Sequence, residues 1–240
     1  MKINEQTKRE FSNRYIDSYG DIYSSDLTTL IKVSSTRRDI FMLPASVHKI
    51  EDNAFYVPEN TFDMIDIEPG NNYFSTFENG MYSRRLTVLY AYAGKNYEHP
   101  HFQSEVQKRI THWQYLELYH ILYDYVFRAP TYLEEIKSGA FSVLNYYPGL
   151  GLNYGLKTIG DHAIKCTGLN IVLPQSVTKL GKYAVSGEYI RLSLPFHINE
   201  IPDGTFLIAK HTSTFRKELP LSEMTCSTAS TYANCTFPTA

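Results

Sequence analysis

A glycine-rich run at 148–155 is the first stretch whose residue types could do chemistry, because glycine backbones can approach and cradle a phosphate. The dinucleotide-binding fingerprint needs the spacing GxGxxG between a strand and a helix. Here the third glycine, Gly155, falls one residue late, and Leu150 and Leu152 alternate as in a buried strand. We therefore predict a strand here rather than a phosphate loop.

Three histidines offer a candidate metal site, since imidazole is the commonest metal-ligating side chain. They are His99, His101 and His112. No cysteine or carboxylate stands near them at ligand spacing, so a solvated loop is the favoured interpretation.

Three carboxylates, Asp63, Asp66 and Glu68, could bind calcium or act as general acid and base. Ile65 and Ile67 alternate with two of them, which is typical of a strand with one buried and one wet face. The solvent-exposed face of such a strand accounts for the presence of Asp66 and Glu68 without a bound ion.

Cys166, Cys226 and Cys235 form no CxxC pair. Cys166 could be a nucleophile, but it stands in a repeat column that we expect to hold small buried residues; the other copies have Val57, Val143, Gly187 and Ile208 there. A disulfide between Cys226 and Cys235 remains an alternative if the chain lies in an oxidising compartment. The chain has no GxSxG elbow, P-loop or HExxH motif. We predict no catalytic centre, no metal and no cofactor, with a carboxylate-based hydrolase as a remote alternative.

Composition places the chain among globular or repetitive proteins. It has 240 residues, 43% apolar and 20% charged, with a net charge of -2. This charge gives no electrostatic reason to expect nucleic acid or an anionic membrane. The first residues lack the apolar segment of a signal peptide, and no window reaches the roughly 18 apolar residues of a membrane span.

The strongest pattern is an internal repeat. Two alternating apolar residues precede a proline, aliphatic residues follow it three and six positions later, and a small residue with an aromatic or aliphatic neighbour closes the unit. The second aliphatic residue recurs at spacings of 23, 21 and 21 in Ile136, Ile159, Leu180 and Ile201. This period lies in the range of roughly 20–29 residues that is typical of leucine-rich repeats. The five copies begin at Phe41, Phe127, Leu150, Ile171 and Leu192.

A longer repeat overlaps the first. Segments 23–30 and 82–89 match without a gap at an offset of 59 residues. Each combines a short strand, a polar turn and a strand of alternating apolar residues, which predicts a β-hairpin insert. Val47 and Val106 keep the same offset, so we expect 102–115 to be a degraded copy of the Phe41 unit.

The columns of the repeat predict a stacked fold of the α/β class. Alternation predicts short strands with one buried face, and proline ends them because it has no N–H. The small residue and its neighbour should begin a short helical or irregular segment on the outer side. About six buried side chains at ~2 kcal/mol each cannot offset ~1–2 kcal/mol for each of about 21 ordered residues, so units must stack. We predict a right-handed solenoid with a curved parallel sheet, interrupted by β-hairpin inserts.

Domain boundaries follow from where the repeat begins and ends. Residues 1–19 form a charged lead-in, 20–211 the solenoid with an irregular insert at 60–125, and 212–240 a Ser/Thr-rich tail or incomplete repeat.

The columns resemble the BspA-like leucine-rich-repeat family, whose repeats follow "IP.SV..IG..AF..C..L". Segments 156–169 and 173–184 match it best, and the inserts at 20–33 and 79–93 resemble stretches that interrupt that family's arrays. The likeness covers roughly 20–210 and is lost at 102–125. It implies a surface antigen or adhesin at the cell surface, without shared catalytic residues.

We expect residues between the buried strand positions to face a ligand on the concave sheet, with two flanking residues. The candidates are Met42, Arg128, Val172, Ser193, Asn170 and Arg191. The hypothesis is a protein-binding module whose partner is a host, matrix or other surface protein, with no nucleic acid and no membrane insertion. The alternative is an intracellular leucine-rich-repeat scaffold or a truncated array.

Overall fold

The computed structural model describes residues 14–35, 40–56, 64–93, 127–145, 150–198, 205–208, 214–217, 225–227 and 234–236. These residues contain 21 strands and no helix. The strands are β1 (Arg14–Ile16), β2 (Ile22–Ser24), β3 (Thr29–Lys32), β4 (Ile40–Leu43), β5 (Lys49–Ile50), β6 (Met64–Ile67), β7 (Phe74–Phe77), β8 (Gly80–Ser83), β9 (Val88–Tyr92), β10 (Phe127–Arg128), β11 (Glu135–Ile136), β12 (Phe141–Asn145), β13 (Leu150–Gly151), β14 (Thr158–Ile159), β15 (Ile164–Val172), β16 (Lys179–Leu180), β17 (Val185–Leu194), β18 (Phe206–Ile208), β19 (Thr214–Lys217), β20 (Thr225–Ser227) and β21 (Asn234–Thr236).

Parallel pairing between successive repeats builds the main sheet. Its strands β10, β13, β15 and β17 lie side by side in that order. Phe127 pairs with Leu150, and Leu150 pairs with Ile171. Ile171 pairs in turn with Leu192, and Leu192 with Phe215. Because these residues share one column of the repeat, each repeat forms one coil that lies in register on the next.

Each coil has two further strand positions. β11, β14 and β16 pair in parallel on the second side of the coils. β12 pairs with the first half of β15 on the third side. β15 and β17, with 9 and 10 residues, continue from the third side of one coil to the first side of the next. The structure is therefore a β-solenoid of stacked coils, as the repeat predicted.

The proline column forms the same tight turn in five coils. The N–H of the aliphatic residue three positions later donates to the carbonyl of the residue in the proline column at 3.0–3.3 Å. The five donors are Val47, Leu133, Leu156, Val177 and Ile198. The first four are fully buried and Ile198 is half-buried, which confirms that this column faces the interior.

Backbone hydrogen bonds join each coil to the one before it. The residue that follows the second aliphatic position donates its N–H to a backbone carbonyl in the preceding layer of the stack. The N···O distances are 2.8–2.9 Å. The pairs are Lys137 with Leu89, Gly160 with Ile136, and Gly181 with Ile159. These bonds satisfy backbone groups that one coil alone would leave unpaired.

Both predicted hairpins are confirmed. β2 pairs antiparallel with β3, and β8 with β9. The turns place Leu27 and Leu86 at φ +56 and +58, in the left-handed region. The first hairpin lies against coil 44–54 through the bond from the His48 N–H to the Thr28 carbonyl.

The second hairpin lies against coil 130–140. The Glu134 N–H donates to the Thr87 carbonyl, which is the equivalent of Thr28 at the offset of 59. Val88 pairs with Glu135, so β11 takes the place beside β9. The copy predicted at 102–115 lies outside the described residues.

Two clusters of buried side chains form the interior. One runs from Tyr23 to Ala93 and the other from Tyr82 to Phe206. The small column is buried throughout, at Ala54, Ala140, Ala163, Ala184 and Thr205. This confirms that a small side chain permits close contact between coils.

The short outer helices that the sequence predicted are not confirmed. The segments after the small column form strands that begin at Phe141, Ile164, Val185 and Phe206. Residues that favour a pleated, half-buried surface follow, for example Val143 after Phe141, Ile190 after Val185 and Ile208 after Phe206. The small residue marks close packing but does not start a helix.

The predicted domain boundaries stay predictions. Strand β1 lies inside the predicted lead-in and pairs with β2, and β19 lies beyond residue 211 and pairs in parallel with β17. In the described residues, no helix has the length and apolarity needed to cross a membrane.

Candidate functional site

Residues from adjacent coils of the main sheet form a row. Arg128 lies beside Gly151, and Val172 lies beside Ser193. The register of the neighbouring residues puts Gly151 next to Val172. Arg128 and Val172 are exposed, Val172 by 49%, and Ser193 is half-buried. We call these four residues the Arg128 strip.

The remaining predicted ligand residues divide into two groups. Asn170 and Arg191 pair with each other in the same sheet, two residues before Val172 and Ser193. Met42 is 38% exposed but lies in the separate ladder of β4 and β6, opposite Asp66. The structure therefore brings Arg128, Val172, Ser193, Asn170 and Arg191 into one sheet and leaves Met42 outside it.

The second hairpin and coil 130–140 enclose two open cavities that share Thr131 and Tyr132. The larger, of about 590 Å³, is also lined by Arg85, Thr87, Glu134 and Gly155. The lining of the smaller, of about 290 Å³, includes Phe77, Glu78, Leu86 and Arg128. We call the two cavities together the Tyr132 cleft. It adjoins the strip because Arg128 belongs to both.

Local geometry presents Tyr132 to solvent. Leu133 occupies the interior column, and its N–H closes the turn onto the Pro130 carbonyl at 3.0 Å. The preceding side chain then projects outward, and Tyr132 is 71% exposed. An exposed tyrosine thus lines both cavities.

Hydrogen bonds hold the facing hairpin turn in place. The hydroxyl oxygen of Ser83 accepts the N–H groups of Thr87 and Val88 at 3.1 Å. Its hydroxyl also contacts that of Thr87 at 3.0 Å. These bonds fix the turn that carries Arg85 to the cleft.

Glu134 carries an ion pair at the edge of the larger cavity. Its Oε1 lies 3.1 Å from Nζ of Lys157, and both side chains are more than half exposed. An exposed pair of this kind contributes little to stability. The carboxylate can therefore exchange its partner at low cost.

Tyr82 lies behind the wall of the smaller cavity. Its ring contacts Phe77 at 6.4 Å between centroids, and its side chain is fully buried. Within the described part of the chain its hydroxyl has no hydrogen-bond partner. Burial raises the pKa of the phenol, and the charges of Tyr92 and Glu78 add to the effect, so the group stays neutral.

Asn153 stands in the proline column, and Asn71 stands in the column of Val47, three residues after Glu68; both side chains bond to the neighbouring coil. The Asn153 side-chain amide donates to the carbonyls of Thr131 and Leu133 at 2.8 and 2.9 Å. Asn71 donates in the same way to the carbonyls of Pro44 and Val47. The departure from the pattern at Asn153 therefore ties two coils together.

His162 is half-buried between two aromatic rings. Its ring stacks on Tyr56 at 4.4 Å and lies against Tyr183 at 4.9 Å between centroids. Burial lowers the pKa of His162, while Asp161 acts in the opposite direction. The stack joins the segment after the first coil to two later coils.

The other candidate site residues that the structure describes have structural roles. The glycine-rich run begins strand β13, as predicted. Glu68 accepts the N–H of Ala45 at 2.9 Å, and Asp66 accepts that of Ile67 at 2.8 Å. Among the described residues, no group of three or more His, Cys, Asp or Glu could hold a metal ion.

Four candidate site residues lie outside the described residues. His99, His101, His112 and Asp63 lie there entirely. The backbone of Cys166 pairs with Leu144 and Gly187, and Cys226 and Cys235 pair with each other across β20 and β21.

The Tyr132 cleft is not among the sites that the sequence predicted. Tyr132, Arg85 and Glu134 stand at variable positions of the repeat, where a single sequence gives no signal. The cleft could have been found only from the docking of the second hairpin on coil 130–140, which joins β9 and β11 across the segment 94–126.

A family model matches the repeat array. The model of the family "BspA type Leucine rich repeat region" matches residues 125–236 in six copies. The match extends beyond residue 211, where the sequence predicted the tail to begin. The match confirms the resemblance to this family that the repeat columns indicated.

Two solved structures are similar to the chain. A leucine-rich repeat protein from Eubacterium ventriosum ATCC 27560 is 17% identical with a TM-score of 0.44, over 65% of this chain and 38% of that chain. The pneumococcal vaccine antigen PcpA is 18% identical with a TM-score of 0.43, over 76% of this chain and 44% of that chain. The chain thus covers less than half the length of each. No curated protein matches it.

Proposed function

Residues 125–236 of this chain are BspA-type leucine-rich repeats, and we propose that their Arg128 strip binds a protein partner. The partner is a host, matrix or other surface protein, and the chain acts as an adhesion module of a surface antigen. The module presents a surface and carries out no catalytic step.

The register of the main sheet carries this proposal. Arg128, Gly151, Val172 and Ser193 come from four coils and lie side by side, at the ~4.8 Å spacing of neighbouring strands. The coils below hold them in place, so the strip would lose little conformational entropy on binding. A rigid row of mixed polar and apolar residues suits a protein surface.

The arginines of this sheet indicate the chemistry of the partner. Arg128 is exposed, and the backbones of Arg191 and Arg216 pair with those of Asn170 and Ser193 in the same sheet. Arginine presents a planar fork that suits carboxylates, and it is enriched at interfaces. We expect a partner surface with several Asp or Glu residues.

Binding measurements on immobilised partners test the proposal. The full chain is passed over a panel of purified extracellular-matrix and host cell-surface proteins in a surface plasmon resonance instrument. Arg128→Glu combined with Arg191→Glu should weaken any saturable interaction at least about tenfold, because it reverses charge at the interface. Lys165→Glu combined with Lys179→Glu is the control, because it reverses the same number of charges at exposed residues on the third and second sides.

Unchanged binding by the double variant, or equal loss in the control, would remove the strip from the site. Antibody labelling of intact, non-permeabilised cells distinguishes the surface role from an intracellular scaffold. Labelling only after permeabilisation would exclude adhesion.

A further inference from the structure

We propose that the Tyr132 cleft is a binding site for a neutral oligosaccharide. The site is separate in function from the strip, although Arg128 borders both. Four features of the described residues carry the inference: the exposed rings, the balanced charge, the paired backbone N–H groups and the size.

Two exposed aromatic rings stand in the cleft. Tyr132 lines both cavities and Phe77 lines the smaller one, and the two residues are 71% and 40% exposed. A pyranose ring has an apolar face of C–H bonds that packs on such a ring, while its hydroxyls remain free to bond sideways. Tyrosine adds a hydroxyl of its own at the rim.

The charges that line the cleft balance. Arg85 and Arg128 supply guanidinium donors, and Glu78 and Glu134 supply carboxylate acceptors. A strongly anionic or cationic ligand would meet as much repulsion as attraction here. A neutral ligand with many hydroxyls can use both kinds of group, since each hydroxyl both donates and accepts.

Several backbone N–H groups at or beside the cleft are already paired. The N–H groups of Ala129, Leu133 and Glu134 donate to the carbonyls of Gly151, Pro130 and Thr87. An extended peptide that docks by strand addition needs free backbone groups at this point. Recognition is left to side chains, including the hydroxyls of Thr87 and Thr131. This favours a sugar over a peptide.

The volume fits a short oligosaccharide. The cavities measure about 590 and 290 Å³ and share Thr131 and Tyr132 in their lining. Small-molecule sites are clefts of roughly 300–1,000 Å³. Two or three sugar units would extend from one cavity past the Tyr132 ring into the other.

Titration of the full chain with neutral trisaccharides tests the site. Maltotriose, cellotriose, mannotriose and N,N′,N″-triacetylchitotriose are added one at a time, and binding is followed by saturation-transfer NMR and calorimetry. We expect at least one to bind saturably, and Tyr132→Ala to weaken it at least about tenfold. Tyr154→Ala is the matched control, because Tyr154 is 88% exposed and is not among the residues that line the cleft.

A second variant, Glu134→Gln, keeps the shape of the side chain but removes its negative charge. It should weaken the same sugar by about threefold to tenfold, through a poorer acceptor. Urea unfolding midpoints equal to that of the parent chain verify that the variants fold.

Absence of saturable binding for all four sugars at about 10 mM would overturn the proposal. Equal binding by the Tyr132 and Tyr154 variants would do the same, as would Tyr132-dependent capture of an extended peptide without sugar binding. All these variants keep Arg128 and Arg191, so protein binding by the strip is scored independently.

Discussion

The backbone of Tyr56 lies directly on Gly139, so closely that a Cβ added to Gly139 would stand 2.5 Å from the Tyr56 Cα. Gly139 also has φ +73, a conformation that residues with a side chain rarely adopt. This contact joins the segment after the first coil to coil 130–140. It brings the Tyr56 ring to His162 in the following coil.

Gly139→Ala should lower the free energy of unfolding by about 3 kcal/mol, from backbone strain and overpacking together. Gly70→Ala is the matched control, because Gly70 has φ +99 but nothing within 4 Å of the added Cβ. It should cost only about 1 kcal/mol, the strain alone. Urea denaturation measures both, and equal losses would contradict the close contact.

Asn71→Ala should lower the free energy of unfolding by about 2–3 kcal/mol. Its side chain is buried, donates to the carbonyls of Pro44 and Val47, and accepts the N–H groups of Tyr73 and Phe74. The same substitution at the exposed neighbour Asn72 should change stability by less than about 0.5 kcal/mol. Similar unfolding curves for the two variants would refute the bridging role of Asn71.

Tyr82→Phe should raise the free energy of unfolding by about 1 kcal/mol, because it removes a buried hydroxyl that has no partner among the described residues. Phenylalanine keeps the ring, which packs closely above Gly80. Thermal and urea unfolding check the prediction. A loss of stability would mean that the hydroxyl makes a stabilising bond.

His162 should make stability depend on pH. Its pKa is lowered in the folded chain, chiefly by burial, so below about pH 6.5 the unfolded chain binds more protons than the folded one. Stability from this group is complete above the unfolded pKa and falls as the pH drops toward the folded pKa. His162→Asn removes the titration and tolerates the φ of +49 at this position.

Urea unfolding of both chains at pH 7.5 and pH 5.5 isolates this contribution. The parent should lose more stability than His162→Asn over that interval. Parallel losses would place the pH dependence in other groups.

The interior of the solenoid could be predicted from the sequence because its columns obey local rules. Leu133, Leu156 and Val177 are buried where the repeat placed them. The hairpins followed from the matched segments at the offset of 59 residues. Each of these features repeats, so one copy supports the interpretation of the next.

Features that depend on unique contacts could not be predicted. The outer strands replaced the expected helices because strand-favouring residues such as Val143 and Thr167 follow Phe141 and Ile164, which the small column does not reveal. The Tyr132 cleft and the stack of His162 on Tyr56 join segments that are far apart in sequence. No periodic signal marks either contact.

Amide hydrogen exchange by NMR tests the central claim, that hairpin and coils form one continuous stack. The N–H groups of Lys137, Gly160 and Gly181 each donate to the preceding coil, the first of them to Leu89 of the second hairpin. We expect the three amides to be similarly protected and to lose protection together as urea is added. Exchange of the Lys137 amide at the unfolded rate, with Gly160 and Gly181 still protected, would contradict the docking of the hairpin on coil 130–140.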